Sequence, residues 1–209
     1  MKIIHLKFQK NNSNFKKLND KEIVAAIGNF DGVHTGHQKL FNEAKKEAKK
    51  RKFPFGIITF DPHPRDYFSK GKENFKITDN FEKVRLIKSF NTDIYINISF
   101  NEDLRNLDPK NFIETILKKI LNVKVLFSGK NFRFGKNRSG SLTDSKDVFK
   151  KFGIEPTTCE LLETQNSEVI SSQFIRENIK SGDLKKIKVL LGRNWAITGK
   201  VEHGNKNGN

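Results

Sequence analysis

Short apolar runs alternate five times with segments of helical periodicity, and this alternation limits the folds open to the chain more than any other feature. The runs are Lys21–Ile27 (KEIVAAI), Phe55–Phe60 (FGIITF), Asp93–Ile98 (DIYINI), Val123–Phe127 (VKVLF) and Gly153–Glu160. The first four are of strand length and almost continuously apolar, as strands buried on both faces are. Between them, apolar residues recur at helical spacing: Leu40, Phe41, Ala44 and Ala48 after His37, and Phe81, Val84 and Ile87 within Asp79–Phe90. Asp108–Pro109 opens a third helix, a capping carboxylate followed by a proline at the first helical position. Helices are also expected over Asp144–Phe152 and from a Ser171 or Ser172 cap to Gly182. The pattern predicts an α/β fold, a parallel sheet with helices on both faces. Ligands of such sheets bind beyond the carboxyl ends of the strands. Three turns fall there, Gly28–Gly36, Asp61–Pro64 and Gly129–Gly135, and they are expected to share one rim.

The length, 209 residues, suits one full domain and the beginning of another. The expected division is 1–186 and 187–209, with Trp195–Val201 as a short strand before a polar, glycine-rich end. No apolar run is long enough to span a membrane, and the start MKIIHLKFQKNN is too short and too charged to be expected as a signal peptide. A single cysteine, Cys159, excludes a disulfide framework and fits a cytoplasmic chain. The net charge of +16 invites a nucleic-acid reading. However, lysine outnumbers arginine 32 to 8 and is spread along the chain, whereas planar phosphate and base recognition favours arginine. No specific nucleic-acid partner is expected.

The stretch Gly28-Asn29-Phe30-Asp31-Gly32-Val33-His34-Thr35-Gly36-His37 joins the first predicted strand to a helix. Backbone N–H groups at such a turn, with the positive end of the helix dipole, suit an anion. It is neither a P-loop nor a G-x-G-x-x-G fingerprint. Both imidazoles of H-x-G-H can face one anion, and Gly36 lets the backbone approach it. A zinc site is disfavoured because no third ligand lies nearby in sequence. Arg176, in the first turn of a late helix, is unfavourable for the dipole unless an anion binds there.

The stretch AIGNFDGVHTGH resembles the H-x-G-H signature of the nucleotidyltransferase superfamily, and within it the bacterial FAD synthetases, the adenylyltransferase half of bifunctional riboflavin kinase/FAD synthetases. Further segments match in the same order: TFDPHP (59–64), FSGKNFRFG (127–135), ISSQFIR (170–176), and LGR (191–193) followed by GKV (199–201). The resemblance implies a Rossmann-like doubly wound sheet, with 187–209 as a linker and the incomplete start of a β-rich riboflavin kinase domain. It implies that FMN attacks the α-phosphorus of ATP to give FAD and pyrophosphate, assisted by Mg2+. His34, His37 and Arg176 would be catalytic. Gly28, Asn29, Phe30, Asp31, Gly32, Gly36, Ser171 and Ser172 would hold ATP. Pro62, His63, Pro64, Phe68, Asn131 and Phe134 would hold FMN. The metal ligands and the oligomeric state stay open.

Two departures stand out. Gln173 replaces the family's usual threonine. Gly199, Lys200, Val201, Gly204 and Gly208 match the opening of the kinase half, but Asn209 stands for an expected arginine and no P-T-A-N motif is present. This stretch of chain alone is therefore not expected to phosphorylate riboflavin. The competing readings are an adenylyltransferase for another phosphate acceptor, a non-catalytic basic nucleic-acid-binding protein, and a truncated flavin-binding remnant without turnover.

Overall fold

A computed structural model describes residues 1–11, 17–18, 20–70, 76–160, 162–164, 167–199 and 201. Six strands form one sheet in the order β1-β4-β3-β2-β5-β6, and every pairing is parallel. They are β1 (Lys2–Leu6), β2 (Ile23–Ile27), β3 (Phe55–Asp61), β4 (Ile94–Ser99), β5 (Val123–Gly129) and β6 (Glu155–Cys159). From β2 the chain steps outward to β3 and β4, then crosses back to β5 on the other side. The strand order thus reverses beside β2, and its carboxyl end is where such sheets open a crevice.

Alternate residues of each strand feed opposite cores. On β2, Ile23, Ala25 and Ile27 enter one core, with the apolar stripe Phe112, Ile113, Ile116, Leu117 and Ile120. Val24 and Ala26 enter the other, with Leu40, Phe41, Ala44 and Ala48 of α1 (Thr35–Arg51) and Leu86 and Ile87 of α3 (Asn80–Ser89). This is the period-two division of a sheet covered on both faces. A third cluster joins Ile77 to Ile175 of α7 (Ser172–Ser181) and Ile187, Leu190 and Leu191 of α8 (Leu184–Leu191).

Several ends follow the expected chemistry. Asp79 caps α3 by accepting from Glu82 N at 2.7 Å. Ser171 Oγ accepts from Phe174 N at 3.2 Å, and Gly182 ends α7 with φ 76°. The helix opened by Asp108 begins as α5 (Pro109–Asn111) and continues with π-type geometry over Phe112–Ile120.

Other features differ from expectation. Strand β1 had no counterpart, because its alternating exposure includes Lys2 and His5 and hides the apolar signal of an edge strand. Two short helices, α2 (Pro64–Ser69) and α4 (Glu102–Arg105), also had none. Strand β6 starts at Glu155 rather than Gly153, which turns with φ 64° after α6 (Lys146–Lys151). The expected strand at Trp195–Val201 has no ladder over 194–199; instead Trp195 Nε1 donates to Ile77 O at 2.9 Å. The 186/187 division falls inside α8. Gly204, Gly208 and Asn209 lie outside the described residues.

Candidate active site

The three turns do meet on one rim. They surround a cavity of about 620 Å³, with Gly28, His34 and His37 on one side, His63, Pro64 and Phe68 on another, and Asn131 and Phe134 on a third. Asn29, Phe30, Gly36, Ser171, Ser172 and Arg176 also line it. Three expected site residues do not: Asp31, Gly32 and Pro62. Asp31 is turned inward and spent on structure, Gly32 N donates to Thr78 Oγ1 at 3.2 Å, and Pro62 faces solvent.

The H-x-G-H turn is built from strained backbone. Phe30 (φ 49°) and Val33 (φ 41°) both occupy the left-handed region, which is costly for an aromatic and a β-branched residue. His34 is the N-cap of α1, and its Nδ1 accepts from His37 N at 3.4 Å. That bond leaves the ring proton on Nε2, as a donor. The two imidazoles stack with centroids 3.5 Å apart, and Phe30 meets His37 edge-on at 5.1 Å. A Cβ on Gly28 would strike the Phe30 ring at 2.8 Å, and one on Gly36 would crowd His34 Nδ1 at 3.1 Å. These two glycines make room for the rings of the site itself.

Burial lowers the His34 pKa to about 4, with Asp31 opposing and Arg193 and Arg176 reinforcing the shift. His37 is held well below the ordinary value by burial, then by His34 and Lys83. Both rings are therefore neutral near pH 7. His37 Nδ1 is buried and has no hydrogen-bond partner among the described residues.

Arg176 comes from the first half of α7. Its Nη2 donates to Asp31 Oδ2 at 2.7 Å, while Asp31 also accepts from Ile77 N (3.0 Å) and Thr78 N (3.3 Å). Ser172 Oγ donates to Asp31 O at 2.8 Å, tying the amino end of α7 to the H-x-G-H turn. Gln173 points elsewhere and pairs with Glu177 on the outer face.

The far arm of the cavity is aromatic. Phe68 is 59% exposed and meets Phe100 and Tyr67 edge-on, with the Arg105 guanidinium 5.4 Å from its ring. Phe134 is mostly buried, against Phe112 and Phe149, yet shows an edge to the cavity. His63 caps α2 by accepting from Arg65 N at 3.1 Å, and burial lowers its pKa to about 4. Sequence reasoning missed Phe100, although it directly follows β4 on the same rim. It also missed Lys83, a lysine of α3 only 5% exposed whose charge acts on His37. Nothing in the α3 sequence marks it out from Lys88 on the same helix. Among the described residues no group of three His, Cys, Asp or Glu is disposed to hold a metal, and no helix is long and apolar enough to cross a membrane.

The sequence model of the FAD synthetase family matches residues 16–205. The chain belongs to the FAD synthetase family. Similar curated proteins carry the name bifunctional riboflavin kinase/FMN adenylyltransferase. The one from Buchnera aphidicola of Schizaphis graminum is 36% identical over 195 residues, covering 93% of this chain and 62% of that protein. Those of Bacillus subtilis (36%) and Escherichia coli K12 (33%) each cover 88% of this chain and 58% and 59% of their own lengths. The chain thus spans about three fifths of the length of these FAD synthetase relatives. A Streptococcus pneumoniae structure described as a macrolide-efflux protein aligns with a TM-score of 0.77 at 28% identity, over 97% of this chain and 66% of that one. The pantoate-β-alanine ligase of Francisella tularensis aligns at 0.50 and 16% identity over 82% of this chain and 78% of that one, a likeness of fold only. The parallel α/β architecture of this FAD synthetase family member is thus shared with proteins of other descriptions.

Proposed function

We propose that this chain transfers the adenylyl group of ATP to the phosphate of FMN, giving FAD and pyrophosphate. The observation that carries this reading is that one cavity joins an anion-suited end to an aromatic end. The first holds His34, His37, Ser172 and Arg176; the second holds Phe68, Phe100 and Phe134. A dinucleotide with a flat apolar ring at one end needs both. An FMN phosphate oxygen attacks the α-phosphorus, the bond to the bridging oxygen breaks, and pyrophosphate leaves. No base is needed, because a phosphate monoester already carries negative oxygens near neutral pH. The work of the protein is positioning and charge stabilisation.

In this reading, His34 Nε2–H donates to a phosphate oxygen, and His37 beside it takes up positive charge as the anion arrives. Ser172, at the amino end of α7, and Arg176, one turn further along it, receive the departing β- and γ-phosphates. Asn29, Phe30 and the backbone around Gly28 and Gly36 contact the nucleotide, and His63, Pro64 and Asn131 frame the flavin. Asp31 acts by holding Arg176. Mg2+ travels with ATP, bound mainly by phosphate oxygens and water, as is usual for this ion. The test is formation of FAD and pyrophosphate from FMN, ATP and Mg2+ by the native chain.

A further inference from the structure

The segment after α8 does not leave the fold freely; it is tied to the H-x-G-H turn. Arg193 Nη2 donates to Gly32 O at 2.7 Å, and Nη1 donates to Val33 O at 3.2 Å and Leu191 O at 3.3 Å. Gln38 Nε2 bridges the same two segments, donating to Val33 O (2.9 Å) and Leu191 O (2.8 Å). Thr35 Oγ1 donates to Leu190 O at 3.0 Å. Gly192, with φ 65°, lies so close that a Cβ there would meet Thr35 Cγ2 at 3.2 Å. Three residues further on, Trp195 donates to Ile77 O, while Ile77 N donates to Asp31, the partner of Arg176.

The Arg193 guanidinium is half-buried, and its hydrogen bonds go to carbonyls rather than to a carboxylate. A desolvated guanidinium is tolerated only where its donors find acceptors, and here Nη1 and Nη2 both do. Here the acceptors are the carbonyls of Gly32 and Val33, and Val33 carries the left-handed strain of the turn at φ 41°. Strained backbone of this kind persists only where its surroundings over-determine it. The forked donor of arginine fits two adjacent carbonyls as a lysine cannot.

We propose that Arg193 is a positioning residue for the adenylyl-transfer site: it holds Gly32 and Val33 in the conformation that aims the His34 and His37 rings. The segment 191–195 is then a strap across the back of the site, touching the histidine arm through Arg193 and the Arg176 arm through Trp195, Ile77 and Asp31. The catalytic consequence rests on the reading of the site given above; the mechanical one does not.

The experiment compares the native chain with Arg193→Ala, Arg193→Lys and the exposed control Lys188→Ala. Amide hydrogen exchange over 30–38 and over β3, and kcat and KM for FAD formation, are measured in each. Exchange over 30–38 is expected to quicken at least tenfold in Arg193→Ala and less in Arg193→Lys, with β3 unchanged. In Arg193→Ala kcat is expected to fall at least tenfold while KM for FMN stays within twofold. Arg193→Lys lies between, and Lys188→Ala matches the native chain. If Arg193→Ala does not fold, Arg193→Lys carries both comparisons. Unchanged exchange over 30–38 in the folded variants, or quickened exchange with native kcat, overturns the proposal. A native chain that makes no FAD fails the reading of the site instead, and the exchange comparison still decides the strap.

Discussion

Asp31 and Arg176 form a buried ion pair across 145 residues of sequence, Arg176 Nη2 to Asp31 Oδ2 at 2.7 Å, with 3% of the Asp31 side chain and 14% of that of Arg176 exposed. The carboxylate is further held by two backbone N–H groups, from Ile77 and Thr78. The motif residue that resembles a nucleotide contact is thus the anchor of the arginine that faces the cavity. Breaking a buried pair from one side costs about 3–5 kcal/mol, because it strands the other charge. Arg176→Ala is expected to lose stability on that scale as well as activity. Arg176→Lys keeps the charge near Asp31 but not the fork. It is expected to fold, with kcat lower by roughly tenfold or more, in line with the loss of a charge-assisted contact. Thermal melts and steady-state kinetics of the two variants check this.

A pH prediction follows from burial. His34 and His63 titrate at about 4 in the folded chain, against an ordinary 6.5. Between those values the unfolded chain binds more protons, so acid favours unfolding. This stability is fully present above about 6.5 and is lost as pH falls toward 4. Asparagine can serve as an N-cap acceptor without titrating in this range. His34→Asn and His63→Asn are each expected to make the loss of stability between pH 6.5 and 4.5 shallower by about one proton. Denaturant melts across that range measure the slope, and an unchanged slope in both variants contradicts the assignment.

The aromatic arm separates binding from folding. Phe68 is largely exposed, so Phe68→Ala is expected to change stability by less than about 1 kcal/mol while raising KM for FMN several-fold and leaving KM for ATP near its native value. Phe134 is 6% exposed and packed on three other rings. Phe134→Ala is expected to cost about 3–5 kcal/mol of stability. Steady-state kinetics in each substrate and chemical denaturation distinguish the two behaviours.

Gly135 offers an independent handle on that arm. Its φ is 75°, and a Cβ would strike Pro109 at 2.8–2.9 Å, including the backbone nitrogen. Gly135→Ala is expected to displace the 131–138 loop, raising KM for FMN with little change in KM for ATP. Paired substrate titrations of the folded variant test this, and an equal rise in both constants contradicts it.

The sheet was legible because β2, β3, β4 and β5 are buried on both faces and read as apolar runs, and because α1 carries Leu40, Phe41, Ala44 and Ala48 on one stripe. The rim was legible for the same reason, since parallel strands place their carboxyl ends together. Strand β1 was hidden by its edge position. Phe68 and Phe134 could not be told apart among nineteen phenylalanines, because packing on α2 and on the 131–138 loop decides which one is exposed. The inward turn of Asp31 and the strap of Arg193 had no local signature. Each joins residues more than 140 positions apart, Asp31 to the Arg176 side chain and Arg193 to the carbonyls of Gly32 and Val33, and a motif does not say which of its residues will meet another.

The most direct measurement is the rate of FAD and pyrophosphate formation from FMN, ATP and Mg2+ by the native chain beside His34→Ala and His37→Ala, each shown to be folded. Loss of one preorganised donor to a developing anion costs roughly 10²–10³ in kcat. Steady formation of both products by the native chain, with a loss on that scale in each variant, is the expected result. FAD formation at native rates in both variants, or none by the folded native chain, contradicts the reading of His34 and His37 as the clamp on the reacting phosphates.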